Sequence, residues 1–420
     1  MEKNKISNRW MVVIGAVLIQ LALGAIYAWS VFTKPLQDPN GAYRFTESET
    51  QAVFSAGLFV FAFVMIFAGI QMKKVGPRFL AVASALVLGI GYILGGLFGN
   101  SFIAQFIFIG IMGGAGIGLG YVVPIAVGVK WFPDKKGLVS GLAVAGFGFG
   151  AYIWIKLAST WANLLSIHGV QGVFLIYGVI FTVLVLIGSI WMVNPPEGYM
   201  PKGYTPPVPK AEQGKIITNI EHTCQEMLKK YHFYAIWLMF VCGGMAGLMV
   251  IGVIVLFGTD RLISSGMDAD SAKVAAITAA AWLPIFNGLG RIIWGKVADN
   301  VGPKKAKFVM LLLQGILMLT VYNFGTTPMM LIFFACFIGF NFGGNFALFP
   351  TSTAEYFGNK SVGANYPFVF TAYGIAGILG PQLAAYVKHS SGVFLHAFIY
   401  AGIACLIGAA LALTLPKCYR

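Results

Sequence analysis

Long apolar runs, each about the length that crosses a bilayer, alternate with short polar connections along almost the whole chain. A hydrocarbon core about 30 Å thick needs about 20 apolar residues per helix. On that ruler the runs at 11–33, 51–71, 79–97, 102–127, 137–163, 172–193, 233–257, 272–294, 307–325, 328–350, 362–386 and 393–415 predict twelve membrane-spanning helices. Lys3, Lys5 and Arg9 precede the first run, but it is too long for the apolar core of a signal peptide, so an uncleaved first span is expected. The connections are short except for residues 194–232, which open with Asn194-Pro195-Pro196-Glu197-Gly198-Tyr199 and hold six prolines by Pro209. A lysine-bearing stretch from Lys215 to Lys230 follows and reads as an interfacial helix. The chain thus divides into an N-terminal six-helix bundle (1–193), a cytoplasmic linker (194–232) and a C-terminal six-helix bundle (233–420).

An internal repeat supports two related halves. Gly69-Ile-Gln-Met-Lys73-Lys74-Val-Gly76-Pro77-Arg78 follows the second span, and Gly295-Lys-Val-Ala-Asp299-Asn-Val-Gly302-Pro303-Lys304 follows the eighth, 226 residues later. Both copies share the glycine spacing, the Gly-Pro pair and a basic end. Repeated halves mark secondary transporters, whose substrate sites lie at the repeat interface near mid-membrane.

Composition narrows the class. Of 420 residues, 58% are hydrophobic and only 10% charged, against roughly a quarter charged in soluble domains. A soluble globule could not cover itself with so few polar groups, so an integral, all-α membrane protein is expected. The net charge of +14 would suggest nucleic acid in a soluble chain. Sorted by side, with a cytoplasmic N-terminus, the inner segments hold 21 basic and 8 acidic residues and the outer segments 6 and 6. The positive-inside rule absorbs that bias and sets both termini in the cytoplasm of a plasma-membrane protein, with no nucleic-acid partner. The five cysteines, Cys224, Cys242, Cys336, Cys405 and Cys418, have no paired spacing and no nearby histidine pair. Free thiols are expected, with no metal site and no cofactor.

One basic residue belongs to neither side. Arg291 ends Trp282-Leu-Pro-Ile-Phe-Asn287-Gly-Leu-Gly-Arg291, eight residues before Asp299, which places it about 12 Å inside the boundary. Arginines that deep face a cavity and mark an ion or substrate path; snorkelling or an interhelical ion pair is the alternative. All 14 acidic residues fall in loops or at helix ends, so the spans offer no carboxylate to balance it. A guanidinium fork suits a carboxylate ligand. Asn287, four residues earlier, shares its helix face and could bond the same ligand or a neighbouring helix. Tyr27 and Trp29 in span one, Tyr121 in span four, Tyr373 in span eleven, and Phe147, Phe342, Phe346 and Phe370 at mid-span are candidate cavity walls. In a chain 15% aromatic, packing competes with that role. The glycine-rich stretches Gly113 to Gly120, Gly146 to Gly150 and Gly374 to Gly380 are expected to let helices approach closely. His396, Lys156 or the substrate itself are the candidates for carrying a proton.

The glycine-spaced basic loops resemble the signature of the major facilitator superfamily, with Gly69, Gly76 and Arg78, and Gly295, Asp299 and Gly302, as its gating positions. The first copy departs by carrying Lys73 where the signature has an acid. Four stretches resemble the oxalate/formate antiporter family and its monocarboxylate-transporting relatives: Lys130-Trp131-Phe132-Pro133-Asp134-Lys135-Lys136-Gly137-Leu138; Asn287 to Arg291; Asn341-Phe-Gly-Gly-Asn345-Phe-Ala-Leu-Phe349-Pro350 running on to Glu355-Tyr-Phe357-Gly358; and Asn365-Tyr366. The resemblance implies an anion site using Arg291 and lined by Tyr27 and Tyr121. Members that handle the oxalate dianion carry a lysine in span eleven, where this chain has Tyr373. One cation suits a monoanion, although Lys156 could supply a second charge for a dicarboxylate.

The combined expectation is a non-enzymatic, twelve-helix secondary transporter in two pseudo-symmetric halves. It would move lactate, pyruvate or formate by alternating access, coupled to protons and acting as a monomer in the lipid bilayer. Anion exchange without protons and an anion channel are the alternatives.

Overall fold

The computed structural model describes residues 8–201 and 221–416. Lys3, Lys5, Cys418 and linker positions 202–220, including Pro209 and Lys215, lie outside the described residues. Among the described residues, twelve helices are long and apolar enough to cross a membrane. In chain order they are α1 (Trp10–Trp29), α2 (Ala52–Val75), α3 (Pro77–Phe98), α4 (Phe102–Trp131), α5 (Lys136–Ser159), α6 (Leu164–Ser189), α7 (Tyr231–Ser264), α8 (Ala269–Val301), α9 (Pro303–Phe324), α10 (Pro328–Phe357), α11 (Val362–Ser391) and α12 (Leu395–Thr414). Every predicted apolar run is therefore a helix.

Several helices overrun the apolar segment that predicts them. Backbone bonding continues until a residue can reverse the chain, and α2, α8 and α10 stop at Gly76, Gly302 and Gly358, with φ of 82°, 88° and 100°. A side chain would be strained there. The first run differs the other way. Its α-helix ends at Leu23, Gly24–Trp29 wind as a tighter 3₁₀ turn, and a separate short helix takes Ser30–Gln37. In the linker, the described part of the expected interfacial helix is the short turn Cys224–Leu228, started by a Thr223–Glu226 capping box.

The two repeat copies fold alike. Gly76 and Gly302 share one backbone conformation (ψ 157° and 149°), and Pro77 and Pro303 each occupy the first helical position that follows. The cation one residue further on does the same work in both halves. Arg78 donates to the carbonyl of Ile190 just past α6, and Lys304 donates to Leu413 O at 2.8 Å and to Leu415 O at the end of α12. Each loop thereby supplies a positive charge to the carbonyl end of the last helix of its own half. Gly69 is buried in α2.

The chain separates into two compact units, one of Met1–Phe132 with Leu142–Tyr199 and one of Pro133–Gly141 with Met200–Arg420. Inside the first, Phe32, Tyr92, Trp154, Phe174, Tyr177 and Phe181 form one aromatic core. Inside the second, Phe257, Phe334, Phe394 and Phe398 anchor an apolar core among α7, α8, α10 and α12. Outward faces are apolar too. Phe59, Phe63 and Phe67 recur every four residues along α2 and are each more than half exposed, the stripe of a helix solvated by lipid rather than water.

Close helix contacts follow the glycines, with one correction. In the run Gly113 to Gly120, a Cβ at Gly114 would stand 2.4 Å from Gly57 O, as the packing reading expects. Gly374 has nothing within 4 Å of such an atom, because it lies on an exposed face of α11. In the second unit α8 and α10 touch backbone to backbone: a Cβ at Gly290 would lie 1.9 Å from Phe340 O, and one at Gly343 would lie 2.0 Å from Asn287 O. Gly290→Ala and Gly343→Ala should each destabilise the protein by about 1–3 kcal/mol through overpacking. Gly374→Ala should be neutral or stabilise by about 0.5–1 kcal/mol through reduced chain entropy. Thermal unfolding of the detergent-solubilised protein measures all three.

Candidate functional site

Helices α8 and α10 carry the charged part of the site. Asp268 starts α8 by accepting from Ser271 N–H at 2.9 Å, a bond that holds its carboxyl below the usual carboxylate range. Thr327 starts α10 by accepting from Met330 N–H. Both helices carry an interior proline beside the site, Pro284 before Asn287 and Pro350 after Phe346. Each proline removes one backbone donor and loosens the local turn.

The glycine contact sets the distance between these helices and so puts a side chain of one against a ring of the other. Arg291 is 1% exposed. Its Nε donates to Asn287 Oδ1 at 2.9 Å, and its Cζ stands 4.3 Å from the centre of the Phe346 ring. A cation over a ring face gains most when water is excluded. Asn287 therefore orients the guanidinium from within the same helix. Asn287 sits one helical turn from Arg291, which is what their four-residue spacing predicts.

The remaining predicted residues of the second unit gather around the same ring. Phe346 makes edge contacts with Phe342 at 5.3 Å and Tyr373 at 5.4 Å, and Phe370 lies 5.1 Å from Tyr373. Phe240 of α7, which sequence reasoning missed, completes the cluster and stacks on Phe349 at 4.3 Å. Nothing in the α7 sequence distinguishes this ring from its lipid-facing neighbours.

In the first unit Tyr27, Tyr121 and Phe147 come together, with Phe147 5.3 Å from each tyrosine. Phe61 joins them at 5.1 Å from Tyr121, and Gln20 Nε2 donates to the Tyr121 carbonyl at 3.0 Å. Trp29 is not brought to this group. Its Nε1 donates to Thr50 O, and its ring stacks on Phe174 in the aromatic core; the 3₁₀ turn sends it elsewhere. Lys156 occupies the last turn of the α-helical part of α5, half-buried, with its Nζ 5.8 Å from the Tyr152 ring. It lies nine residues from Phe147, about 13 Å along a helix. His396 is exposed at the start of α12, 6.3 Å from Tyr400.

One fully buried cation escaped the sequence reading. Lys307 counts among the inner lysines by position, yet it is 0% exposed, with its Nζ 5.7 Å from the Phe349 ring and 5.4 Å from the Tyr356 ring.

The loop motifs meet at one end of the second unit. Asp299 accepts from Gly137 N–H at 2.8 Å and Leu138 N–H at 2.7 Å, capping the first turn of α5 with a carboxylate. Lys136 pairs with Glu355 at 3.1 Å, so two of the stretches singled out in sequence touch each other. Two amides of the stretches singled out in sequence are also engaged: Trp294 Nε1 donates to Asn341 Oδ1 at 3.2 Å, and Asn365 Nδ2 to His222 O at 2.9 Å.

The family model described as the Major Facilitator Superfamily matches residues 6–381 and 262–417. The chain belongs to the Major Facilitator Superfamily. Among curated relatives it is 26% identical to the oxalate:formate antiporter of Oxalobacter formigenes, over 97% of this chain and 91% of that protein. It is 24% identical to apicoplast pyruvate carrier 1 of Toxoplasma gondii, over 86% of this chain and 81% of that one. The superfamily transporter FucP, solved in an outward conformation, superposes with a TM-score of 0.72 at 14% identity, covering 97% of this chain and 98% of its own. The fold is thus the twelve-helix superfamily fold of an integral, multi-pass membrane protein, and the two curated relatives are named an oxalate:formate antiporter and a pyruvate carrier.

Removing the Asp299 cap should weaken the start of α5. Asp299→Ala should cost about 1 kcal/mol and Asp299→Asn less, because an amide oxygen still accepts one bond. The order of unfolding temperatures, wild type above Asn above Ala, checks this.

Proposed function

We propose that the chain is a secondary active transporter of a small organic monocarboxylate of the lactate, pyruvate or formate type, working by alternating access and carrying a proton with its substrate. The observation that carries the reading is the buried Arg291 guanidinium, oriented by Asn287 and seated on Phe346. A fixed cation in an apolar interior favours an anionic ligand. A carboxylate would dock on the guanidinium, whose fork matches its two oxygens. Tyr373 would add a hydroxyl on the same side, with Phe342, Phe346 and Phe370 as apolar wall. Tyr27, Tyr121 and Phe147 are the contribution of the N-terminal bundle.

The domain assignment behind this reading is 1–193, 194–232 and 233–420, with both termini cytoplasmic in the plasma membrane and the monomer as the working unit. Gly69, Gly76 and Arg78, and Gly295, Asp299 and Gly302, form the gating loops. His396, Lys156 or the substrate carries the proton. Exchange of two anions without a proton is the second reading, favoured by the similarity to the Oxalobacter antiporter.

Purified protein in liposomes should accumulate radiolabelled lactate, pyruvate or formate. Arg291→Ala and Arg291→Lys should lower uptake by about 100-fold or more, the scale of breaking one partner of a buried charge pair. Asn287→Ala should lower it about tenfold, as expected for one hydrogen bond to a charged group. Asn287→Asp should abolish it by placing a permanent anion on the guanidinium. Wild-type uptake by Arg291→Ala would overturn the assignment. Uptake driven by an imposed inward proton gradient supports symport, and counter-flow without one supports exchange. A channel would show neither saturation nor counter-flow. Tyr373→Lys should raise oxalate uptake relative to the monoanions, because a second cation then faces the same ring cluster.

A further inference from the structure

We propose that the C-terminal unit contains a small internal water site among α7, α9 and α10, behind the arginine cluster. Asn345 of α10 is 1% exposed and donates through Nδ2 to Phe342 O at 3.0 Å. A carbonyl can only accept, so this bond fixes which end of the amide is which and leaves Oδ1 pointing the other way. That oxygen faces α7: a Cβ at Gly243 would stand 2.7 Å from it and 2.9 Å from Leu311 Cδ2 of α9. Asn345 and α9 therefore converge on the same patch of α7.

Gln314 enters from α9. It is 2% exposed and lies one turn beyond Met310 and Leu311 on their face of the helix. The register of α9 on α10 is fixed nearby, since a Cβ at Gly344 would meet Met310 Sδ at 2.5 Å. The two helices are consecutive and run in opposite directions. One turn onward from Met310 thus brings Gln314 level with the Asn341–Phe342 turn, itself one turn from Asn345.

Among the described residues, Asn345 Oδ1 and both Gln314 Nε2 and Oε1 are buried without a hydrogen-bond partner. Buried polar groups in folded proteins are almost always bonded to protein or to ordered water. The atoms here are two acceptors and an amide donor. That mixture suits neither a bare anion nor a metal cation, and the neighbouring Met310, Leu311 and Cys242 add no strong polar partner. Water is the ligand that both donates and accepts, and it needs two to four such partners in a small space. One helical turn before Asn345, Asn341 Oδ1 accepts from Trp294, three residues from Arg291.

Hydroxyl-radical footprinting of the full chain in lipid nanodiscs tests this, because radicals generated from an internal water oxidise the methionine beside it. Met310 and Met318 lie on the same helix and are 1% and 0% exposed, so burial alone predicts equal rates. A water beside Met310 should raise its oxidation about threefold or more over Met318, the contrast between a hydrated and a dry pocket. Gln314→Leu should return Met310 to the Met318 rate and raise the unfolding temperature. Should Gln314→Leu fail to fold, Gln314→Met is read the same way, and the wild-type comparison stands by itself. Met310 oxidised no faster than Met318 in the wild type, or at an unchanged rate in a folded Gln314 variant, would overturn the proposal.

Discussion

A guanidinium deep in an apolar helix bundle has lost its water and must be held by the protein itself. Much of the C-terminal unit is arranged to meet that constraint. The backbones of α8 and α10 touch at Gly290 and Gly343, which brings the Phe346 face to 4.3 Å from Arg291. Asn287, one turn away, supplies the hydrogen bond that fixes the plane of the fork. Ring and amide are both neutral, so they orient the charge without cancelling it. A carboxylate at either position would satisfy the arginine permanently and leave little for a ligand to gain.

The surrounding rings couple Arg291 to the rest of the aromatic cluster. Phe346 touches Arg291, Phe342, Tyr373 and Phe240. Any shift of the guanidinium must loosen it from the ring, and every neighbour of that ring feels the change. Pro284 and Pro350 lie beside the contact on the two helices, so the backbone there has fewer internal bonds to resist a shift. The chemistry is local, yet the helices carrying it are among the longest in the chain.

Much of this was legible in the sequence because it depends on periodicity and on solvent. A run of twenty apolar residues has few alternatives in a bilayer, and a lone arginine inside such a run stands out. The glycine spacing of the loop repeat translated directly into two matching left-handed turns at Gly76 and Gly302. What escaped reading depends on where a side chain points in three dimensions. Lys307 begins its span and reads as a surface lysine, but the opening turn of α9 points it under Phe349 and Tyr356. Trp29 is two residues from Tyr27 within the same 3₁₀ turn, Gly24–Trp29, and at three residues per turn that spacing sends the two side chains in different directions. Gly374 has the spacing of a packing glycine and faces open space. A one-dimensional pattern gives the period of a helix but not its rotation about its own axis.

The two loop copies show which parts of the shared motif are separable. The glycine turn, the following proline and the cation that reaches the last helix are kept in both, with Arg78 on Ile190 and Lys304 on Leu413 and Leu415. Those contacts lie within one half and hold its third and sixth helices together. The acid is kept only in the second copy, where Asp299 caps the first turn of α5 through two backbone N–H groups. Lys73 has no acceptor to offer, so the first copy cannot form such a cap whatever its conformation. A contact required for each half to fold has to be present twice, whereas one that clamps a particular helix end can be lost from one side. The motif therefore joins a structural device that the repeat preserves to a capping device that it does not.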